Sequence, residues 1–167
     1  CAGKCATMIA EYAVLATRIR QTLLDLDRVT ARAEMLFQQY QKMNDDGYLD
    51  GIALNLHGFY SGMERIFEDI ARTVDRSIPT GGEWYRDLLL QMADEVSTIR
   101  PAVIDVTARR CLDEYRGFRH LVRNIYTFNL RPSRLQELTT DLPGCYTTVK
   151  AALLQFIIFL EDAAQLA

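Results

Sequence analysis

Four prolines and nine glycines are few for a chain of 167 residues. That scarcity argues against the turn-rich connections of a β-sandwich or barrel and against long disordered linkers. Histidine is scarcer still. His57 and His120 are the whole supply, and no two cysteines have the spacing of zinc ligands, so no metal site built from protein ligands is expected. The cysteines stand at 1, 5, 111 and 145, a pattern that gives a disulfide framework no support. The reading is a protein of a reducing cytoplasm. Glycine-rich phosphate loops, the Gly-x-Ser-x-Gly elbow, His-Glu-x-x-His and the EF-hand loop are all missing, and with them the reactions they serve. No cofactor is expected. The apolar run 151–160 is short and closely flanked by Lys150, Glu161 and Asp162, which fits a core helix and no membrane span.

What is present is helical periodicity. The length suits one domain with a proper core. Cys1 to Thr7 looks unlike a native start, so residues 1–7 read as a tag or disordered lead, and 8–167 as the domain. From about Ala6 a stripe through Ile9, Tyr12, Val14, Leu15, Ile19, Leu23, Leu26, Val29, Met35, Leu36 and Tyr40 predicts one helix of nearly forty residues. Asn44-Asp-Asp-Gly47 ends it in turn chemistry. A second helix is expected from about Leu49 to Val74, with small residues at Gly58 and Gly62 for close packing. A third runs from Glu83 until Arg100-Pro101 stops it, because the residue before proline avoids the helical region. Asp105 is a fair N-cap for the fourth, which Asn129 to Pro132 closes. A short helical turn at 133–139, a break at 141–144 and a last helix from Tyr146 to Ala164 complete the chain. The fold class is all-α: an up-and-down bundle of about five helices.

The fourth helix carries the functional signal. Turned at about 100° per residue, it places Cys111, Tyr115, Phe118, Leu121, Val122, Ile125 and Phe128 on an apolar face. Arg116, Arg119, His120, Arg123 and Thr127 fall on the other. From Arg109 to Arg134 there are seven arginines against Asp113 and Glu114, a local charge of +5 in a chain of net −3, which leaves −8 on the rest. Arginine grips phosphate with a planar fork of donors. A solvated face, or one paired with acids of neighbouring helices, would show the same count. The overall acidity confines any nucleic-acid contact to this patch.

Arg119-x4-Asn124-x-Tyr126, with His120 beside the arginine, resembles the motif of the HEPN superfamily, specifically the HepT-like toxins of bacterial toxin–antitoxin pairs. Tyr-Arg-Gly-Phe-Arg-His (115–120), Leu-His-Gly-Phe-Tyr-Ser-Gly-Met-Glu-Arg-Ile-Phe (56–67) and Arg-Pro-Ala-Val-Ile (100–104) look like the same family. The resemblance implies a helical bundle that dimerises through the motif helix. It also implies a metal-independent endoribonuclease in a type VII-like pair, acting on transfer or messenger RNA. In that scheme Arg119, His120 and Asn124 are catalytic and Arg116 and Arg123 bind phosphate. Tyr126 receives AMP from the partner antitoxin, a minimal nucleotidyltransferase, or contacts RNA.

The sequence departs from the family pattern at Asn124, where a histidine belongs. An amide exchanges no proton near neutral pH. Either His120 takes the proton-transfer role, or the site is degenerate and binds RNA, nucleotide or partner without cleaving. Tyr60 and Glu64 lie one turn apart on the second helix, placed to pair with the arginine stripe in support. His57 reads as a packed core histidine.

Overall fold

The structure, a computed structural model, describes residues 2–124 and 130–166, with side chains at 7–122 and 130–165. Five α-helices follow one another: α1 (Ala2–Met43), α2 (Gly47–Ile70), α3 (Trp84–Ala93), α4 (Val106–Asn124) and α5 (Pro132–Leu166). The expected all-α bundle is what the chain forms, with no strand among the described residues. Helix α1 packs along both α2 and α5, α2 also packs on α4, and the shorter α3 lies against α2 and α4. The α1 stripe is as expected at Tyr12, Leu15, Ile19, Leu23 and Leu26, whereas Val14 and Met35 face outward.

Two α2 glycines face neighbouring leucines of α1. A Cβ on Gly62 would lie 2.7 Å from Leu26 Cδ2, and one on Gly51 would lie 3.0 Å from Leu36 Cδ1, whereas one on Gly58 would meet only Val29 Cγ1 at 4.0 Å. Ala is better than Gly in a helix interior by about 1 kcal/mol, and overpacking a tight core costs about 1–3 kcal/mol. Gly58→Ala should therefore stabilise the fold by up to about 1 kcal/mol, and Gly62→Ala should destabilise it. Urea denaturation of the two variants tests that opposition in sign.

Helix α2 continues as one π turn over Ala71–Asp75 and stops at Arg76, whose φ of 53° is left-handed. Asp75 there meets Arg100. The Arg100 Nε and an Nη donate to the Asp75 carboxylate at 2.6 and 2.7 Å, and the backbone carbonyls of Gln91, Asp94 and Pro101 each accept from the guanidinium at 3.0 Å. All five guanidinium donors are used, with side-chain exposures of 0% for Arg100 and 4% for Asp75. This corrects the expected end of the third helix. Helix α3 stops at Ala93, and Arg100 is a clamp tying the α3–α4 connection to the end of α2. Asp105 caps α4 as expected, its Oδ1 accepting from the Ala108 N–H at 2.7 Å.

The C-terminal expectation is also corrected. No break occurs at 141–144, and α5 runs unbroken through Pro143. Leu135, Leu138, Leu142, Cys145, Val149, Leu153, Ile157 and Leu160 bury one continuous stripe in the core. That burial outweighs the roughly 3 kcal/mol that a proline costs inside a helix. The unbroken helix is long and apolar enough to cross a membrane by length and composition, yet it packs on α1, α2 and α4 as a bundle helix.

A second correction is covalent. Cys111 of α4 and Cys145 of α5 form a disulfide, with Cα atoms 5.7 Å apart and a sequence separation of 34. The two sites face each other across the α4–α5 contact, where the Tyr115 hydroxyl also donates to the Leu138 carbonyl at 2.8 Å. The cysteine argument for a reducing compartment therefore falls away.

Candidate functional site

Helix α4 divides much as its sequence predicts. Ala108, Leu112, Tyr115 and Phe118 are buried, Arg116 and Arg119 are half-buried, and His120 is exposed. Leu121, assigned to the apolar face, is 44% exposed. Arg123 and Asn124 belong to α4, but their side chains are not among those described, and Tyr126 lies outside the described residues altogether. The predicted end of the fourth helix at Asn129 falls there too.

The centre of the site is Arg119. Its two Nη atoms meet the two carboxylate oxygens of Glu64 at 2.9 Å each, and its Nε donates to Ser61 Oγ at 3.2 Å. The guanidinium carbon lies 5.5 Å from the Tyr85 ring centroid. Glu64 and Ser61 reach it because they stand one turn apart on α2 where α2 crosses α4. Tyr85 reaches it from the first turn of α3. The pair is largely desolvated, with side-chain exposures of 17% for Arg119 and 6% for Glu64. Bidentate pairing fixes the plane of the guanidinium as well as its position.

Among the described residues, Glu64 and Ser61 take three of the five Arg119 donors, and the other two N–H groups meet no described acceptor and suit an anion. Arg116 is more lightly held. Its Nε donates to Asp113 Oδ1 at 2.7 Å, with side-chain exposures of 24% for Arg116 and 52% for Asp113. Burial works against the charged form of Arg116, but the Asp113 hydrogen bond and charge, with Tyr60 and Glu83 nearby, more than offset it and raise its pKa. Arg116 is thus a permanent cation. Arg134 contributes little to the patch, because Glu114 and Glu137 both pair with it.

Tyr60 is buried beneath this pair. Burial, with the Glu64 carboxylate beside it, drives its hydroxyl pKa upward in spite of Arg116 and Arg119. It supports the site as an uncharged phenol and exchanges no proton near neutral pH. His57 is half-buried on α2, in keeping with a packed role.

Of the site residues expected from sequence, the structure brings together Arg116, Arg119, Tyr60 and Glu64, with His120 on the adjoining exposed surface of α4. Ser61 and Tyr85 were not anticipated. Ser61 could have been found from its spacing to Glu64. Nothing local in the sequence marks Tyr85, which arrives through the packing of α3 on α4.

A family described as HepT-like protein matches residues 51–160, about two thirds of the chain and the whole of α2, α3 and α4 except the first turn of α2. No curated protein and no solved structure matches the chain.

Proposed function

From a chain that belongs to the HepT-like family, we propose a metal-independent endoribonuclease, the toxin of a toxin–antitoxin pair, working as a homodimer with α4 of each protomer facing a shared cleft. The observation that carries this reading is Arg119, oriented by Glu64 and Ser61 with two donors unmet among the described residues, beside the exposed His120.

The chemistry follows from what RNA offers. A base removes the 2′-OH proton, the oxygen attacks the adjacent phosphorus, and the 5′-oxygen leaves with a proton, producing a 2′,3′-cyclic phosphate. Negative charge builds on the non-bridging oxygens along the way. Arg119 places fixed positive charge there, and Arg116 and Arg123 add to it from one turn on either side. His120 carries the proton transfers, one copy from each protomer serving as base and acid. Asn124 donates a hydrogen bond to a phosphoryl oxygen. The partner is a nucleotidyltransferase antitoxin that transfers AMP to Tyr126, adding phosphate charge that competes with RNA for the arginines.

Asn124 also supports a second reading, in which the site holds RNA, nucleotide or partner without cutting. One experiment separates the two. Purified protein is incubated with single-stranded RNA and transfer RNA in the presence of a chelator, and the products are examined for cyclic-phosphate ends. Cleavage by the wild-type protein supports the nuclease. Cleavage only by Asn124→His supports the degenerate site, and none by either overturns the nuclease reading.

A further inference from the structure

Trp84 and Tyr85 open α3, and their rings lie together with centroids 3.9 Å apart and planes 35° from parallel. The Tyr85 ring also carries the Arg119 guanidinium, 5.5 Å from its centroid. Indole, phenol and guanidinium therefore form a row that ends on the central cation of the site. Both rings are half-buried. Part of the indole packs on the core, which holds it in place, and part is left accessible. The preceding residue, Glu83, is close enough to Arg116 to help raise its pKa, so the start of α3 lies along the arginine face of α4.

We infer that this row is a base-stacking subsite, in which the Trp84 indole takes an unpaired nucleobase flanking the phosphate held by Arg119. The inference rests on the RNA reading of that phosphate site and adds a substrate class to it: single-stranded or looped RNA in preference to duplex. A duplex keeps its bases stacked on one another, whereas an unpaired base can turn out onto an aromatic ring, and every base has a face suited to it. Charge sorts the two ends of the nucleotide. The Glu83 carboxylate repels phosphate but not a neutral base, so the backbone is drawn to Arg119 and the base to the ring. Tyr85 has the guanidinium and the indole against it, and acts as a positioning residue between them.

Trp84 is the only tryptophan in the chain, so its fluorescence reports on this subsite alone. The wild-type protein is titrated with a short single-stranded RNA made uncleavable by 2′-O-methylation, with an abasic strand of the same length and charge, and with the duplex. Saturable quenching is expected with the first only. Trp84→Ala should weaken single-strand binding on the order of 10- to 100-fold, the range for removing one stacking partner, while Trp84→Phe keeps most of it. If the single strand binds without quenching, or the abasic strand binds equally well, the subsite is overturned whether or not the protein cleaves RNA. Quenching by the single strand with no cleavage of natural RNA upholds the subsite and removes the nuclease. Absence of any RNA binding overturns both. The wild-type titration decides the matter even if Trp84→Ala fails to fold.

Discussion

Arg119→Ala should lose RNA cleavage by about 10²- to 10³-fold, the usual effect of removing one fixed donor from a charged transition state. It should also destabilise the fold by about 3–5 kcal/mol, because the buried Glu64 carboxylate loses the bidentate Arg119 pairing that offsets its desolvation. The two effects arise from one side chain but separate in a cycle. Glu64 is 6% exposed and spends both carboxylate oxygens on Arg119. Replacing both residues by methionine removes the buried charge and should recover most of the stability, while activity stays lost. Arg119→Lys makes a finer cut. It keeps the charge but has no planar fork to fill both Glu64 oxygens and reach Ser61, so it should fold better than the alanine variant and still cleave poorly. Denaturant unfolding and cleavage rates on the same four proteins supply the measurements. Equal stability of wild type and Arg119→Ala would mean that the pair does not form in solution.

That pair is partly legible in the sequence. The helical period of α4 separates Arg116 and Arg119 from Tyr115 and Phe118, and the same period on α2 sets Tyr60 and Glu64 one turn apart. Local geometry on two helices suffices to suggest that they meet. It is silent on Tyr85, since nothing near Trp84 in sequence says that α3 will lie along α4. It was misleading at Pro143, where a local rule about proline and glycine was overridden by the long apolar stripe of α5. Arg100 shows a similar failure. The Arg-Pro step reads as a helix stop, but the arginine is buried in a clamp with Asp75 and three carbonyls, and α3 had already ended at Ala93. Each error lies where contacts distant in sequence outweigh neighbours.

The Cys111–Cys145 bond belongs to the same class, and its removal should have a large effect on stability. Its cysteines are 34 residues apart, a spacing with no signature, and they meet only because α4 and α5 are packed together. Closing a loop of that length restricts the unfolded chain by about 4 kcal/mol. For a chain of this size each kcal/mol shifts the melting temperature by about 2–4 °C, so reduction should lower Tm by roughly 8–16 °C. A Cys111→Ala/Cys145→Ala variant should melt near the reduced protein and ignore reductant altogether. The folded arrangement should survive in both, because the Tyr115 hydroxyl still bonds the Leu138 carbonyl and the apolar stripe of α5 remains buried. The enclosed loop runs through Arg116, Arg119, His120, Asn124 and Tyr126, so the cross-link spans the whole motif. A Tm indifferent to reductant would show that the thiols stay apart in solution. A drop in Tm with unchanged RNA cleavage below the melting range would place the bond in the stability of the α4–α5 pair and outside the chemistry of Arg119.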